Sequence, residues 1–388
     1  MQNYFHYFSH KVNREVKEVY WQTFIANLAI SLVFIFEPIY LYKLGFSLIS
    51  IMWFYVNVYG WYVVLIGWGA KIAGKIGYKH SIFISNIIYV AYWAALYSIR
   101  FHPKLFFLAP VFFALQKSFF WPAFDADVSL SDKKDQQGRE IGLLFSIIQV
   151  TLIISPLIGG LISYFFGFFL LFALASVLMA VSSAPLFLSR DLYTRQNFRF
   201  RDLWKIFREY PSNFFGYWGY AEDLMLMSLW PVYIFIVVPQ VASVGLISTT
   251  SMLLATGLML YIGSRADIDK KVQLIKNSSL IYSLTWFGRF LAVNTPAVLI
   301  FDTLTKAAKG LLNIPMIALT YEIAGSKGTD YATAYSVFYE LSLAVGKIIT
   351  ALGAIAILYY TKNIFYVFAF VGVLTLFYGF LKPGAARK

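Results

Sequence analysis

The prolines of this 388-residue chain recur at one fixed spacing. Three of the six prolines in the first half have a counterpart 193 residues later: Pro38 and Pro231, Pro103 and Pro296, and Pro122 and Pro315. The flanks of the first pair also correspond, since Pro38-Ile39-Tyr40 is matched by Pro231-Val232-Tyr233. Because proline fixes the backbone and breaks or kinks helices, a repeated proline predicts a repeated backbone. The chain is therefore predicted to contain two copies of one structural unit.

The composition places this repeated unit in a membrane. Hydrophobic residues make up 60% of the chain and charged residues 13%, whereas soluble domains carry about 25% charged residues. Apolar runs of about 20 residues, which suit the hydrocarbon core of a bilayer, recur along the whole length. The sequence thus predicts an all-α polytopic membrane protein. The net charge of +13 does not indicate a nucleic-acid partner, because the basic residues sit in short loops between the apolar runs.

Twelve spans are predicted, in two sets of six, at 19–42, 47–70, 80–99, 103–126, 141–163, 166–188, 213–238, 243–264, 273–293, 296–320, 331–359 and 363–381. With residues near a span end counted with the adjoining loop, the tails and the even-numbered gaps hold 23 of the 32 Lys and Arg residues, and four lie deep inside spans. The opposite face holds the other five: Lys43, Arg100, Lys104, Arg289 and Lys362. Because positive loops stay on the cytoplasmic side, both termini are predicted to be cytoplasmic. Six spans per unit bring each half back to the same side, so the two halves are predicted to be parallel repeats.

The predicted domains are an N-terminal six-helix half at 1–188, a cytoplasmic linker at 189–212 and a C-terminal six-helix half at 213–388. The linker carries Leu203, Trp204 and Phe207 at helical spacing, which predicts an amphipathic helix at the membrane surface. The chain has no cysteine, and its four histidines lie in tails or loops. No cofactor, metal site or catalytic residue is predicted.

Two loops carry versions of one motif. Gly263-Ser264-Arg265-Ala266-Asp267-Ile268-Asp269-Lys270-Lys271 follows span eight, and Ala70-Lys71-Ile72-Ala73-Gly74-Lys75-Ile76-Gly77-Tyr78-Lys79 follows span two. They resemble the signature Gly-x-Leu-Ala-Asp-Arg-x-Gly-Arg-Lys of the major facilitator superfamily, a resemblance that extends over nearly the full chain. It implies that these loops form a latch that closes the cytoplasmic side, with the candidate residues Gly74, Lys75, Gly77, Lys79, Gly263, Arg265, Asp267 and Lys271. The alternative is that both loops are simply tight basic turns.

Span five contains Ser155-Pro156-Leu157-Ile158-Gly159-Gly160, which resembles an element common among exporters of this family. This resemblance gives export a slight preference over import. The alternative is a packing role alone, because small residues allow helices to approach closely and proline kinks the span.

Charged residues at bilayer depth are costly, and they usually face a cavity or a partner. In the family that the chain resembles, spans one, four, seven and ten line the central cavity, and seven charged residues fall on these four spans. The predicted substrate and ion pathway consists of Glu37, Lys117, Trp121, Glu222, Asp223, Trp230, Asp302, Lys306, Lys309, Glu340 and Lys347. Glu37 lies in the outer third of its span, so it is the residue most prone to reach the surface instead.

Two pairs in spans ten and eleven share a seven-residue spacing, which places both members on one helical face. Because these spans run antiparallel, Asp302 is predicted to oppose Lys347, and Lys309 to oppose Glu340. Proton coupling needs a carboxyl group that can take up and release a proton, and Glu222, Asp223 and Glu340 are the candidates. Lys117 and Lys306 either neutralise such a carboxylate or bind an anionic group of the substrate.

The predicted function is secondary active transport of a small organic solute by alternating access, coupled to protons. An uncoupled facilitator or lipid flippase is the alternative of the same fold, and a non-transporting sensor or lipid-modifying enzyme is the alternative from another class. The chain shows neither a nucleotide-binding loop nor a convergent catalytic set, so it is not expected to be an enzyme. It is expected to act as a monomer in a prokaryotic plasma membrane.

Overall fold

The computed structural model of the chain describes residues 14–130, 134–187, 198–263 and 271–383, which are almost entirely helical. The first half comprises α1 (Arg14–Val33), α2 (Phe36–Lys43), α3 (Leu48–Ile76), α4 (Tyr78–Ser98), α5 (Leu105–Leu130), α6 (Lys134–Phe165) and α7 (Gly167–Ser182). The linker and second half comprise α8 (Phe200–Glu209), α9 (Pro211–Gly216), α10 (Asp223–Met227), α11 (Leu229–Val237), α12 (Val241–Gly263), α13 (Lys271–Gly288), α14 (Thr295–Ala324), α15 (Thr329–Thr361) and α16 (Ile364–Thr375).

All twelve predicted spans fall on helical segments. In the described part of the chain, eight segments are long and apolar enough to cross a membrane, and Gly167–Ser182 and Ile364–Phe380 are apolar but shorter. The two remaining predicted spans correspond to α13 and α14, in which polar and charged residues interrupt the apolar runs. The all-helical membrane architecture is thus confirmed, while the number of crossings and the side of the termini stay predictions.

The proline repeat corresponds to a repeat of the backbone. Two pairs of helices begin 193 residues apart, namely α2 and α11, and α3 and α12. The first span of each half is interrupted shortly before its proline, with α1 ending at Val33 ahead of Pro38 and α10 ending at Met227 ahead of Pro231. Proline lacks an N–H, and its ring collides with the carbonyl group four residues earlier, so the helix is interrupted at the same place in both halves.

The tyrosines that follow these prolines make equivalent bonds. The Tyr40 hydroxyl donates to the carbonyl oxygen of Tyr97 over 2.7 Å, and the Tyr233 hydroxyl donates to the carbonyl oxygen of Ala292 over 2.7 Å. Each tyrosine thereby ties the first span of its half to the C-terminal end of the third, where helix carbonyls lack partners within the helix. The repeated Pro-x-Tyr sequence therefore encodes both an interruption and the bond that holds it in place.

The two halves meet along α3 with α15 and along α6 with α12. The second contact includes a side chain inserted into a kinked helix, since Pro156 lies inside α6. The Thr249 hydroxyl of α12 accepts a hydrogen bond from the Leu157 N–H (3.1 Å) and donates one to the Ile153 carbonyl oxygen (2.7 Å). These two backbone groups would bond to each other in a regular α-helix. A hydroxyl group from one half thus takes part in the backbone hydrogen bonding of a helix in the other.

Glycines allow α6 to approach two helices closely. A Cβ atom on Gly159 would lie 2.2 Å from the Leu32 carbonyl oxygen of α1, and one on Gly245 of α12 would lie 2.3 Å from the Pro156 carbonyl oxygen. Neither distance leaves room for a side chain. Residues 155–160 therefore serve a packing role, whatever the direction of transport.

The predicted linker helix is present as α8, which begins at Phe200 and ends at Glu209. Ile206 is buried, whereas Trp204 is 56% exposed. Residues 188–197, the first part of the linker, lie outside the described residues. The position of α8 at the membrane surface stays a prediction.

We predict that Thr249→Val destabilises the protein by about 1–3 kcal/mol, because it leaves the Leu157 N–H and the Ile153 carbonyl without the hydroxyl that bonds them. The measurement is the apparent free energy of unfolding in detergent. Thr305→Val is the control, since the Thr305 hydroxyl bonds only the Phe301 carbonyl oxygen of its own helix. Equal effects of the two substitutions would contradict the role given to Thr249.

Candidate functional site

Four charged side chains form an ion cluster in the second half, namely Glu222, Asp223, Lys309 and Lys347. The Lys309 ammonium contacts Asp223 Oδ1 directly and lies 3.4 Å from Glu222 Oε1, and the Lys347 ammonium lies 3.3 Å from Asp223 Oδ2. Asp223, Lys309 and Lys347 lie in the middle third of their helical segments, so the cluster sits near the centre of the bilayer. Both carboxylates are buried.

The predicted two-rung ladder between spans ten and eleven is therefore wrong. Lys309 and Lys347 both turn to the carboxylates of span seven, which lies between them, instead of to Glu340 and Asp302. The seven-residue spacing indicates only that the two members of each pair share one face of their own helix. It does not indicate which neighbouring helix that face contacts.

Asp302 belongs to a separate network whose polar atoms all have partners. Its carboxylate contacts the Lys306 ammonium at 2.7 Å, one turn along α14, and accepts hydrogen bonds from Ser251 and from Trp230 Nε1 (2.8 Å). Lys306 also donates to Ser251 Oγ (2.7 Å) and to Ser248 O (3.0 Å). This network ties α11, α12 and α14 together. It favours, for Lys306, the role of neutralising a buried carboxylate over that of binding an anionic group of the substrate.

Glu37 does not reach the surface, since only 4% of it is exposed. Its carboxylate accepts hydrogen bonds from the Tyr92 hydroxyl (2.9 Å) and from Trp93 Nε1 (2.8 Å), so it joins α2 to α4. Trp230 occupies the equivalent position of the repeat and also makes an indole–carboxylate bond, with Asp302. Both halves thus use an indole–carboxylate bond at this level, but between different helices. In the first half the first span supplies the carboxylate and the third span the indole, whereas in the second half the first span supplies the indole and the fourth span the carboxylate.

Arg289, which the sequence places in an outer loop, is fully buried at the end of α13. Its guanidinium carbon lies 3.9 Å from the ring centroid of Trp230 and 3.8 Å from that of Trp286. A guanidinium group can stack on aromatic faces. In the sequence, the aromatic residues at 286, 287 and 290 beside Arg289 indicate that such stacking is possible. Arg289 is therefore a buried residue at a helix end and not an exposed charge of a loop. The side of the membrane on which it lies stays a prediction.

Two tyrosine–carboxylate bonds connect the halves directly. The Tyr62 hydroxyl of α3 donates to Glu340 Oε2 of α15 over 2.8 Å, and the Tyr321 hydroxyl of α14 donates to Asp125 Oδ1 of α5 over 3.0 Å. The first bond lies in the middle third of its helices and the second near their predicted cytoplasmic ends. Asp125 lies inside the predicted span four, so the expectation that charged residues at bilayer depth face a cavity or a partner applies to it as well. It was nevertheless left out of the predicted pathway. The two tyrosines carry no such signal in a chain with 28 of them.

Between the halves, three lysines alternate with two tyrosine rings. This lysine–tyrosine row runs Lys117, Tyr59, Lys347, Tyr220, Lys309. The ammonium-to-centroid distances along it are 5.9, 5.2, 5.6 and 4.8 Å. Lys117 also lies 4.7 Å from the centroid of Phe113. Trp121 follows one turn after Lys117 on α5 and is partly exposed. The row joins a cation of the first half to the ion cluster of the second.

The latch residues that the structure describes lie at the ends of α3, α4, α12 and α13. Gly77 joins α3 to α4 with a φ of 96°, which favours glycine. Lys79 lies 3.6 Å from Glu18 of α1, and Lys271 lies 2.9 Å from Glu322 of α14. The helical bounds of α3 and α12 include Gly74, Lys75 and Gly263, whereas Arg265 and Asp267 lie outside the described residues. The latch therefore stays a prediction.

Comparison with known proteins agrees with this architecture. Two solved structures share the fold: the human organic anion transporter MFSD10 (TETRAN), with a TM-score of 0.65 and 12% identity over 95% of this chain and 99% of that one, and a variant of the E. coli fucose:proton symporter FucP, with a TM-score of 0.65 and 14% identity over 94% and 97%. No curated protein sequence matches the chain. The family model described as Major Facilitator Superfamily matches residues 19–239, more than half of the chain. The chain belongs to the Major Facilitator Superfamily, and it is an integral membrane transporter, not an enzyme.

Proposed function

We propose that the protein is a secondary active transporter that couples movement of a small organic solute to protons, with Glu340 as the coupled carboxyl group. The observation that carries this proposal is the bond from Tyr62 to Glu340, because it joins the two halves near the middle of the membrane. Alternating access requires contacts between the halves that form in one state and break in another. A titratable group within such a contact links protonation to the movement of the halves.

Among the three candidate carboxyl groups, the ion pairs favour Glu340. Protonation of Asp223 would give up its interactions with Lys309 and Lys347, and protonation of Glu222 would give up its interaction with Lys309. Glu340 forms no ion pair within 4 Å among the described residues, and its hydrogen-bond partner is the neutral Tyr62 hydroxyl. A proton on Glu340 therefore disrupts no ion pair.

The surroundings of Glu340 let a proton act on both halves. The titratable and charged groups that face it are Tyr62, Lys117, Asp125, Tyr220, Asp223, Tyr321, Tyr339 and Lys347. A hydrogen bond to an ionised carboxylate is about twice as strong as one between neutral groups. Protonation thus weakens the hold of Glu340 on Tyr62, and the change favours the state in which the halves part on this side.

The neighbouring structures are compatible with this proposal. One is a proton symporter and the other an organic anion transporter, and both share the fold at identities that carry no functional argument by themselves. An uncoupled facilitator or flippase is the competing function, in which transport would not respond to a pH gradient.

We further propose that the chain crosses the plasma membrane of a prokaryote twelve times, as a monomer with both termini cytoplasmic. The halves are residues 1–188 and 213–388, and 189–212 is the cytoplasmic linker. The charge count and the repeat of helix starts support this topology. For the direction of transport, export keeps its slight preference from sequence resemblance alone.

The topology predicts opposite labelling of two exposed loops. Because the chain has no cysteine, single-cysteine variants can be made without altering other residues. We expect a membrane-impermeant maleimide to label His102→Cys in intact cells, and to label Ser326→Cys only after the cells are permeabilised. The reverse pattern would show that the termini face outward.

The ion pairs predict different stabilities for two lysine substitutions. Lys309→Met leaves Asp223 and Glu222 without their shared cation, so we expect a loss of about 3–5 kcal/mol. Lys117→Met removes no ion pair among the described residues, and we expect a change within about 1 kcal/mol from the lost ring contacts. Unfolding in detergent measures both values. Equal losses would show that Lys117 has a structural partner of comparable strength.

The coupling proposal predicts that Glu340→Gln abolishes accumulation driven by a pH gradient in proteoliposomes and retains solute exchange. The amide oxygen can still accept from Tyr62, so the contact between the halves persists while the titratable group is lost. Tyr62→Phe is the matched variant, since it removes the bond and keeps the carboxyl group. We expect it to weaken the response to the gradient, because protonation of Glu340 then no longer changes this contact between the halves. Gradient-driven accumulation by Glu340→Gln would transfer the role to Glu222 or Asp223. Uptake by the wild type that ignores the gradient would establish the uncoupled alternative.

A further inference from the structure

The lysine–tyrosine row has more cations than its own carboxylates bind. Lys309 and Lys347 are held by Asp223 and Glu222, which supply two negative charges for two positive ones. Lys117, at the other end of the row, is in no ion pair among the described residues, and its ammonium lies over the rings of Phe113 and Tyr59. An ammonium group in the middle third of a membrane helix requires a counter-charge or water.

The carboxylates near Lys117 have other partners. Glu37 is held by Tyr92 and Trp93, and Glu340 is held by Tyr62. Both lie close enough to interact with Lys117 through space, but neither is within 4 Å of its ammonium. When Glu340 carries a proton, the charge of Lys117 is opposed only through space, by Glu37, and no carboxylate of the described residues contacts its ammonium.

We propose that the transported solute is an organic monoanion whose anionic group binds Lys117 and whose planar apolar part lies along Phe113, Tyr59 and Trp121. The inference rests on the proposed function, because the proton on Glu340 leaves the charge that the anion neutralises. One proton and one anion enter the site together, so the pair adds no net charge in a medium that penalises it. Lys117 and Tyr59 belong to the first half and Lys347 to the second, so the site lies between the two moving parts.

The aromatic surroundings of Lys117 define the shape of this solute. The ammonium lies 4.7 Å from the Phe113 centroid, and Trp121 follows one turn later on the same helix with part of its surface exposed. Such surfaces suit a flat ring attached to the anionic group. Because the head group of Lys is a compact charge with three rotatable donors, it can bind a carboxylate, a sulfonate or a phosphate diester, each of which carries a single negative charge.

The experiment uses pairs of probes that differ only in charge, benzoate with benzamide and indole-3-acetate with indole-3-acetamide. Binding to the purified full-length protein is measured by calorimetry at mildly acidic pH, above the pKa of the probe carboxylates, so that the probe is ionised while Glu340 can take up a proton. We expect at least one carboxylate to bind ten-fold or more tightly than its amide, Lys117→Met to abolish that difference, and Lys117→Arg to retain it. Lys71→Met is the matched control, since the Lys71 ammonium also lies over two rings, those of Trp68 and Phe200 at 5.5 Å each, away from the row. We expect it to leave the difference unchanged.

The outcomes separate this inference from the proposed function. Equal binding of acid and amide in every pair, or a preference for the acid that persists in Lys117→Met, would overturn the anion site. Proton-driven uptake of a neutral or cationic solute that requires Glu340 would also overturn it, and would leave the proposed function intact. Carboxylate binding that depends on Lys117, without uptake into proteoliposomes, would support the site and overturn the proposed function. Uptake of one proton per carboxylate supports both.

Discussion

Asp223 holds two lysines of different helices at the centre of the second half, and the arrangement of the surrounding charges depends on this contact. A charge in the interior of a membrane protein is tolerated when it is paired, and removing one partner leaves the other buried without compensation. Lys309 of α14 and Lys347 of α15 therefore both turn to α10. Spans seven, ten and eleven are joined at one point. Glu340 is left to bond the other half, and Lys117 has no carboxylate in contact within the described part of the chain.

The repeat explains why the two halves share a backbone and yet differ in function. In both halves the helix of the first span is interrupted before a proline. The tyrosine two residues after that proline donates a hydrogen bond to a carbonyl group at the end of the third span. Trp93 and Trp286 are equivalent by the same spacing of 193 residues. Trp93 donates to Glu37, whereas Trp286 stacks on a guanidinium group. The shared backbone fixes where a side chain lies, and the substitutions decide which charge it presents.

The sequence was sufficient to predict the architecture, because hydropathy and proline spacing act along the chain and need no knowledge of partners. It also indicated several residues that carry buried charge, among them Glu222, Asp223 and Lys347, but it left out Asp125. It failed on their pairing, since which of several lysines meets Asp223 depends on how three helices are rotated against one another. Arg289 was misplaced for a related reason: it lies at the end of a helix, where only the two indole rings that enclose it distinguish a buried residue from a loop residue.

The bonds between the halves fall into two chemical classes with different consequences for movement. The insertion of Thr249 into the backbone of α6 involves neutral groups whose strength does not depend on protonation. The bonds from Tyr62 to Glu340 and from Tyr321 to Asp125 end on carboxyl groups, so their strength changes with the charge of the acceptor. The halves are joined along α6 and α12 by neutral groups and elsewhere by tyrosine–carboxylate bonds. They can therefore separate at the tyrosine–carboxylate bonds while the contact between α6 and α12 persists. The lysine–tyrosine row joins Lys117 to the second half beside Glu340. In the mechanism that we propose, the proton that loosens the contact between the halves therefore also changes the charge that an anion meets there.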